Sequence, residues 1–377
     1  MGWRGGRGPP FMLKWLRRIL AVIAILIALS VLVPLAYIEG ACRPASSAAT
    51  TSGPAVTLPA IDEQGYRRKE NNTFFTFPEW YIVYSFEDFG RFLDRSSESH
   101  FNYFGHILGF WRSFCTINRA VPATGESLAD VKTMIYVIGV SYSTEYAIKG
   151  LYENTIGRVF EWIRGETRTP QDQYARAVLQ DYAAFLYTVP WYKYPFREKL
   201  DGLMAISAPT PSPLRTWERD FALGTEYFLK VGYASLIQKA LDASNDDEPR
   251  DIMFVVATLP PELLAKEPRI KPIRTLTSQW QLVQAPRYKA LSEILQSLLD
   301  QGFGLAEIAG NHDILITVIA PDAAKLSIKD TAELFSLELD AKPGFRRAGL
   351  KARIDRLVDI SRDLKSRGAV IEHFYDY

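Results

Sequence analysis

The sequence predicts an α+β protein in three parts: an N-terminal transmembrane helix, an aromatic-rich all-α domain and a C-terminal β-α-β-β-α-β domain. Three observations carry this. An uncharged apolar run follows a basic N-terminus. Aromatic residues recur at helical spacing from residue 73 to about 244. Beyond residue 249, short Val- and Ile-rich runs alternate with amphipathic stretches.

The first 18 residues hold Arg4, Arg7, Lys14, Arg17 and Arg18 and no acid, so this tail is strongly basic. Ile19 to Ile38 follows without a charge. At 1.5 Å per residue those twenty residues reach about 30 Å, the thickness of a hydrocarbon core. Trp15 and Tyr37 sit at its ends as interfacial aromatics do. The flanking cations place the N-terminus in the cytoplasm and the body outside it, anchored in the inner (plasma) membrane with a periplasmic domain. The competing reading is a cleaved signal peptide, whose apolar region is normally shorter, about 7–15 residues. Cys42 and Cys115 would then share an oxidising space and could pair. The alternative is two unrelated thiols, with Cys115 a small buried hydrophobe.

Residues 39–72 read as a linker. Arg43 to Asp62 is dominated by Ala, Ser, Thr and Pro, and twenty such residues reach roughly 25 Å root-mean-square if flexible. The helical domain spans 73–244. Pro78-Glu79 opens a helix through Leu93. Ser97–Ala120 is a second, with Phe101, Phe104, Leu108, Trp111 and Cys115 at three- and four-residue steps. Leu128–Arg164 is a third, broken near Gly139 or Gly157. Thr169-Pro170 with Asp172, and Ser212-Pro213, start two more. In Phe74–Tyr233, 34 of 160 residues are aromatic, which means either an aromatic core or contact with lipid or an apolar ligand. Trp191, Tyr192 and Tyr194 alternate with Lys193, Pro190 and Pro195 in a broken segment, a pattern that suits a membrane surface as well as packing between helices.

The last domain covers 250–377. Asp251–Leu259, Leu305–Ala309, His312–Ala320 and Ala369–Tyr375 read as strands. Arg287–Gln301 and Leu350–Arg367 read as helices, and an extra strand at Leu334–Leu339 lies in an insertion. The order is that of a ferredoxin-like plait.

Composition narrows the function. Apolar residues at 47% and charged residues at 23% exclude wholesale disorder. A net charge of +1 gives no case for nucleic acid. Two cysteines and four histidines without ligand spacing (His100, His106, His312, His373) leave no expected metal site. No phosphate-cradling, zinc-protease or nucleophile-elbow motif occurs, so no cofactor is expected.

One internal similarity stands out. Thr144–Tyr152 and Thr225–Tyr233 both read T-E-Y-x-[IL]-K-x-x-Y. Within each, Glu and Lys share a helix face. They are either exposed ion pairs or two helices that bring Glu145, Lys149, Glu226 and Lys230 together in a polar pocket walled by Tyr146 and Tyr227. His106, on an apolar helix, is an ordinary core histidine or an acid-base group.

Thr76–Tyr84 (TFPEWYIVY), with Thr155–Arg158 and Trp191–Tyr194, resembles a family of bacterial single-pass membrane proteins. The resemblance covers most of the body and implies no activity and no catalytic residue. The resulting expectation is a non-enzymatic binding or scaffold protein that contacts membrane lipid, or a membrane or envelope protein, through its helical domain. The alternative is an enzyme acting on an envelope lipid or apolar small molecule, with Glu145, Glu226 or His106 as acid or base.

Overall fold

The computed structural model describes residues 18, 28–43, 56–121, 129–164, 168–207, 209, 212–242 and 250–377. The architecture is α+β: an aromatic-rich helical region followed by antiparallel sheets. The basic tail before Arg18 and residues 19–27 of the predicted span lie outside the described residues. Among the described residues, no helix is long and apolar enough to cross a membrane.

The helical region is built around α1 (Asn72–Phe92). This helix starts six residues before the expected Pro78, because Phe74, Phe75 and Phe77 are all buried and burial outweighs the proline's missing donor. Helix α2 (Tyr103–Ala120) is capped by Asn102, whose side chain accepts from Gly105 N–H at 3.0 Å. Helix α3 (Ala129–Tyr152) runs through a π-helical turn, Glu153–Gly157, into α4 (Arg158–Arg164). At Gly157 an added Cβ would crowd the Glu153 carboxylate, which would have to shift. Helix α5 (Pro170–Leu186) opens on a capping box between Thr169 and Asp172. Helices α6 (Phe196–Met204) and α7 (Pro213–Asp242) complete the region.

Residues 28–36 are helical and end in a π-helical turn, Tyr37–Ala41. That turn is clamped to the body. Cys42 is disulfide-bonded to Cys115 of α2, with Cα atoms 5.1 Å apart. Asn118 Nδ2 donates to Cys42 O and Arg119 to Ala41 O, both at 2.7 Å. Tyr136 of α3 donates to the Glu39 carboxylate at 2.7 Å, and Lys132 pairs with it. The linker also departs from the expectation of a flexible tether. Ile61 and Tyr66 pack under Val255, Leu282 and Ala306, and Arg274 holds Glu63 at 2.7 Å.

The C-terminal region differs from a single plait. Strands β1 (Asp251–Ala257), β2 (Lys271–Thr275), β3 (Trp280–Pro286) and β4 (Leu305–Ile308) form one sheet in the order β2-β3-β1-β4. Helices α8 (Pro261–Lys266) and α9 (Lys289–Asp300) connect them. Strands β5 (Asp313–Pro321), β6 (Thr331–Glu338), β7 (Phe345–Arg353) and β8 (Val370–Tyr375) form a second, in the order β6-β7-β5-β8, with α10 (Leu357–Ser366) before the last strand. The same spatial order therefore occurs twice, every neighbour antiparallel. The four strands expected in one sheet are shared between two. The missed strands explain why. All five residues of β2 are exposed, and β7 carries Arg346, Arg347, Lys351 and Arg353, so neither shows an apolar run. Leu350–Arg353, expected to open a helix, closes β7 instead. Sheet two packs on α1: Phe335 and Tyr375 lie 4.3 and 5.6 Å from Phe77, ring centre to ring centre. Buried Arg347 bridges Glu372 and Asp88 across that junction.

Candidate functional site

Helices α3 and α7 lie side by side, and their contacts run in opposite order. Ser141 meets Tyr233 (3.4 Å), Glu145 meets Lys230 (2.9 Å), Lys149 meets Glu226 (3.0 Å), and Tyr152 donates to Glu218. The pair is therefore antiparallel. The two T-E-Y-x-[IL]-K repeats exchange ions across it: each lysine bonds the other helix's glutamate, and Lys230 also holds Glu226 at 2.9 Å. The structure thus brings Glu145, Lys149, Glu226 and Lys230 into one cluster, with Tyr146 and Tyr227 buried beside it.

The electrostatics follow from enclosure. Burial opposes ionisation of Glu226, but Lys149 and Lys230 outweigh it and hold its carboxyl far below the usual range. Burial likewise opposes the charge on Lys230, and Glu145 and Glu226 overcome it, raising its pKa. Lys149 is raised in the same way by Glu226 and Glu98. The Lys230 ammonium also lies 5.4 Å from the Tyr182 ring centre and 5.5 Å from that of Phe196. The cavity beside the cluster, between Lys149, Glu226, Tyr227 and Lys230, is about 20 Å³. That holds roughly one water molecule and no substrate.

A second buried network adjoins the first, and no sequence motif marks it. Arg219 is fully buried and binds three carboxylates: Glu98, Glu153 at 2.9 Å, and Glu218. Arg215 bonds Glu218 at 2.6 Å and Asp172 at 3.2 Å. Burial, with the Glu98 charge adding to it, pushes the Glu153 carboxyl up to about 7 against the pull of Arg219. Glu153 Oε2 and the Tyr103 hydroxyl find no hydrogen-bond partner among the described residues. The available signal was the spacing of Arg215, Glu218, Arg219, Glu226 and Lys230, which marks one polar stripe along an otherwise apolar helix.

His106 joins a third cluster. Its Nδ1 lies 2.8 Å from Ser85 Oγ and its Nε2 3.3 Å from Asp340 Oδ2. The residue types are those of a nucleophile and its base, but the setting is not. Ser85 is 2% exposed on α1, and its hydroxyl also contacts those of Tyr142 and Tyr146. The cluster ties the β6–β7 hairpin to the helices. Tyr194 is likewise buried, donating to Asp181 at 2.7 Å, which removes it as a surface contact. Trp191 is half-buried and lies 5.0 Å from the Tyr233 ring, and Tyr192 is half-buried beside it. This segment packs the helices together because each ring finds a groove between them.

Across residues 133–157 and 213–238 the large side chains that face outward are mostly apolar, with Thr144, Thr155 and Thr225 between them, while Asp130, Arg158 and Lys239 are exposed outside those stretches. Nine charged residues lie in stretches 133–157 and 213–238, and every one points inward or sits half-buried. Outside are Ile148, Leu151 and Trp162 on the α3–α4 run and Trp217, Phe221 and Phe228 on α7, each at least 60% exposed. Helix α5, on another side, exposes Gln173, Gln180 and Asp181 to water. In the first sheet unit, a separate groove of about 390 Å³ lies between α8 and α9, lined by Leu263, Ile270, Leu298 and Phe303 with Glu262 and Lys266 at its edge. Among the described residues, no group of three or more His, Cys, Asp or Glu side chains could hold a metal. Comparison with known proteins finds no matching family model, no matching curated protein and no matching solved structure.

Proposed function

We propose that this chain is a membrane-anchored envelope protein with a non-enzymatic binding or scaffold role, exercised through the apolar wall of α3, α4 and α7. The wall is the observation that carries this reading. A water-facing helix normally buries its apolar stripe and exposes its charges; these helices turn most of their charges inward and leave large apolar side chains outside. Monomeric soluble proteins rarely leave so many large apolar side chains contiguous in water. Lipid or a partner is the natural cover. The enzyme reading has less support: Glu226 is occupied by two ammonium groups, and the adjoining space takes about one water.

The anchor in this reading is Ile19–Ile38, inserted with the basic tail in the cytoplasm and the body in the periplasm. Support comes from the positive flank and from the Cys42–Cys115 bond, which belongs in an oxidising space. We read each C-terminal sheet unit as a ferredoxin-like plait, the second lacking its first helix, with the two acting as a rigid platform behind the helices. Hydroxyl-radical footprinting of the full chain in native membranes tests the role. Trp162, 85% exposed in the lone chain, should be protected there. Oxidation of Trp162 as fast as that of a free indole would overturn the proposal.

A further inference from the structure

We infer that the wall of α3, α4 and α7 is the seam of a two-fold dimer of this chain, two antiparallel helix pairs closing into a four-helix bundle. The inference rests on the reading above that the wall is a contact surface, and it names what covers it. A surface that docks on its own copy brings like charges together near the two-fold axis, so a seam with few charges suits it. Across 133–157 and 213–238 no charged residue is fully exposed, and Glu145, Lys149, Glu226 and Lys230 neutralise one another behind the wall; the exposed Asp130 and Lys239 fall outside those stretches.

The pattern of the wall suits packing against helices. On α3 the exposed Met134, Val137, Thr144, Ile148 and Leu151, with half-buried Ser141 between them, form a run of three- and four-residue steps. That spacing is the outward stripe of an α-helix, and such a stripe can seat the helices of a second copy. On α7 small Thr225 lies between the rings of Phe221 and Phe228, and Gly232 follows one turn after Phe228. An added Cβ at Gly232 would meet nothing within 4 Å, so the surface there is open. Size agrees as well. Trp162, Trp217, Phe221 and Phe228 are 60–85% exposed. Together those four rings offer on the order of 500 Å². A standard interface takes roughly 800 Å² per partner, a scale the intervening aliphatic side chains reach.

The clamp fixes the direction of the symmetry axis. Cys42 is bonded to Cys115, and Glu39 to Tyr136 near the start of α3. An axis parallel to α3 and α7 keeps both clamps at one end of the bundle, so both anchors can enter one bilayer. An axis perpendicular to the helices would send them to opposite ends.

The test is photo-crosslinking of the full chain in native membranes, with benzoylphenylalanine placed at Phe228. The expected product has twice the chain's mass, its linked peptides coming from α3 or α7 of both copies. The same group at Gln180, on the water-facing side of α5, yields none. Adding Leu151→Glu, at a position 60% exposed and so tolerant of charge in the lone chain, should cut the product by about tenfold, since the seam would bury an unpaired carboxylate. Adducts only to lipid, or only to a different protein, overturn the dimer and leave the wall as a contact surface. No adduct at all, from a chain whose thermal melting is that of the wild type, overturns both the dimer and the contact surface.

Discussion

Helices α7 and α9 are built on opposite plans. Helix α9 buries Leu291, Ile294, Leu295, Leu298 and Leu299 and exposes Lys289, Glu293 and Asp300. Helix α7 buries Arg215, Glu218 and Arg219 and exposes Trp217, Phe221 and Phe228. The first arrangement stabilises the chain by itself: leucines leave water, and charges stay hydrated. The second withholds apolar surface from the chain's own core and fills the inside with ion pairs. Such pairs recover their desolvation only when every partner is present. The sheet region is therefore organised for its own stability, and the outer helices leave apolar surface uncovered, which is the basis of the contact proposed above.

This contrast is most exposed at Arg219. Arg219→Ala leaves Glu98, Glu153 and Glu218 buried without their cation. It should lower the unfolding free energy by about 3–5 kcal/mol, read from denaturant melts. A loss below about 1 kcal/mol would mean that water reaches the network and that the inverted plan is only apparent. Next comes the clamp. Cys115→Ser opens a link spanning 73 residues, and chain entropy sets the cost at about 4 kcal/mol, measured as the drop in melting stability. A wild-type melt that is unchanged by reductant would contradict it.

Leu295→Ala in α9 should cost about 3 kcal/mol, as removal of a fully buried leucine does. Leu151→Ala in the wall, in the separated chain, should change stability by no more than about 0.5 kcal/mol. Equal costs at the two leucines would erase the distinction between the regions.

The smallest effect is one of pH. The folded carboxyl of Glu153 is raised to about 7. Between the ordinary glutamate range and that value, the native chain holds a proton that the unfolded chain has released. Stability from this group therefore falls as pH rises through the window. Glu226 has the opposite sign: its lowered pKa adds stability above the ordinary range, and that stability is lost only in strong acid. Urea midpoints measured from about pH 5 to pH 8 should decline in the wild type and flatten in Glu153→Gln. A wild-type curve without a decline would place Glu153 in contact with water.

The T-E-Y repeat was readable because local spacing alone puts Glu and Lys on one helix face, and Thr169-Pro170 was readable because capping is local chemistry. Asp340 beside His106 was not, since 234 residues of chain separate them and a β-hairpin delivers the contact. The two sheet units were merged into one because β2 is an exposed edge strand and β7 is rich in cations. Neither strand carries the alternation that marks a half-buried strand. For the same reason, the 56–71 segment reads as loose linker although part of it lies against sheet one.

By itself, the sequence determined the broad α+β division, the helical character of residues 73–244 and the pairing potential of the two repeats. Those follow from periodicity, capping and composition, which act over a few residues. Tertiary structure decided which way each helix turned its faces, which glutamate met which lysine, and how eight strands were shared between two sheets. Periodicity shows that a helix has two unlike faces; only the neighbours packed against it determine which face is the inside.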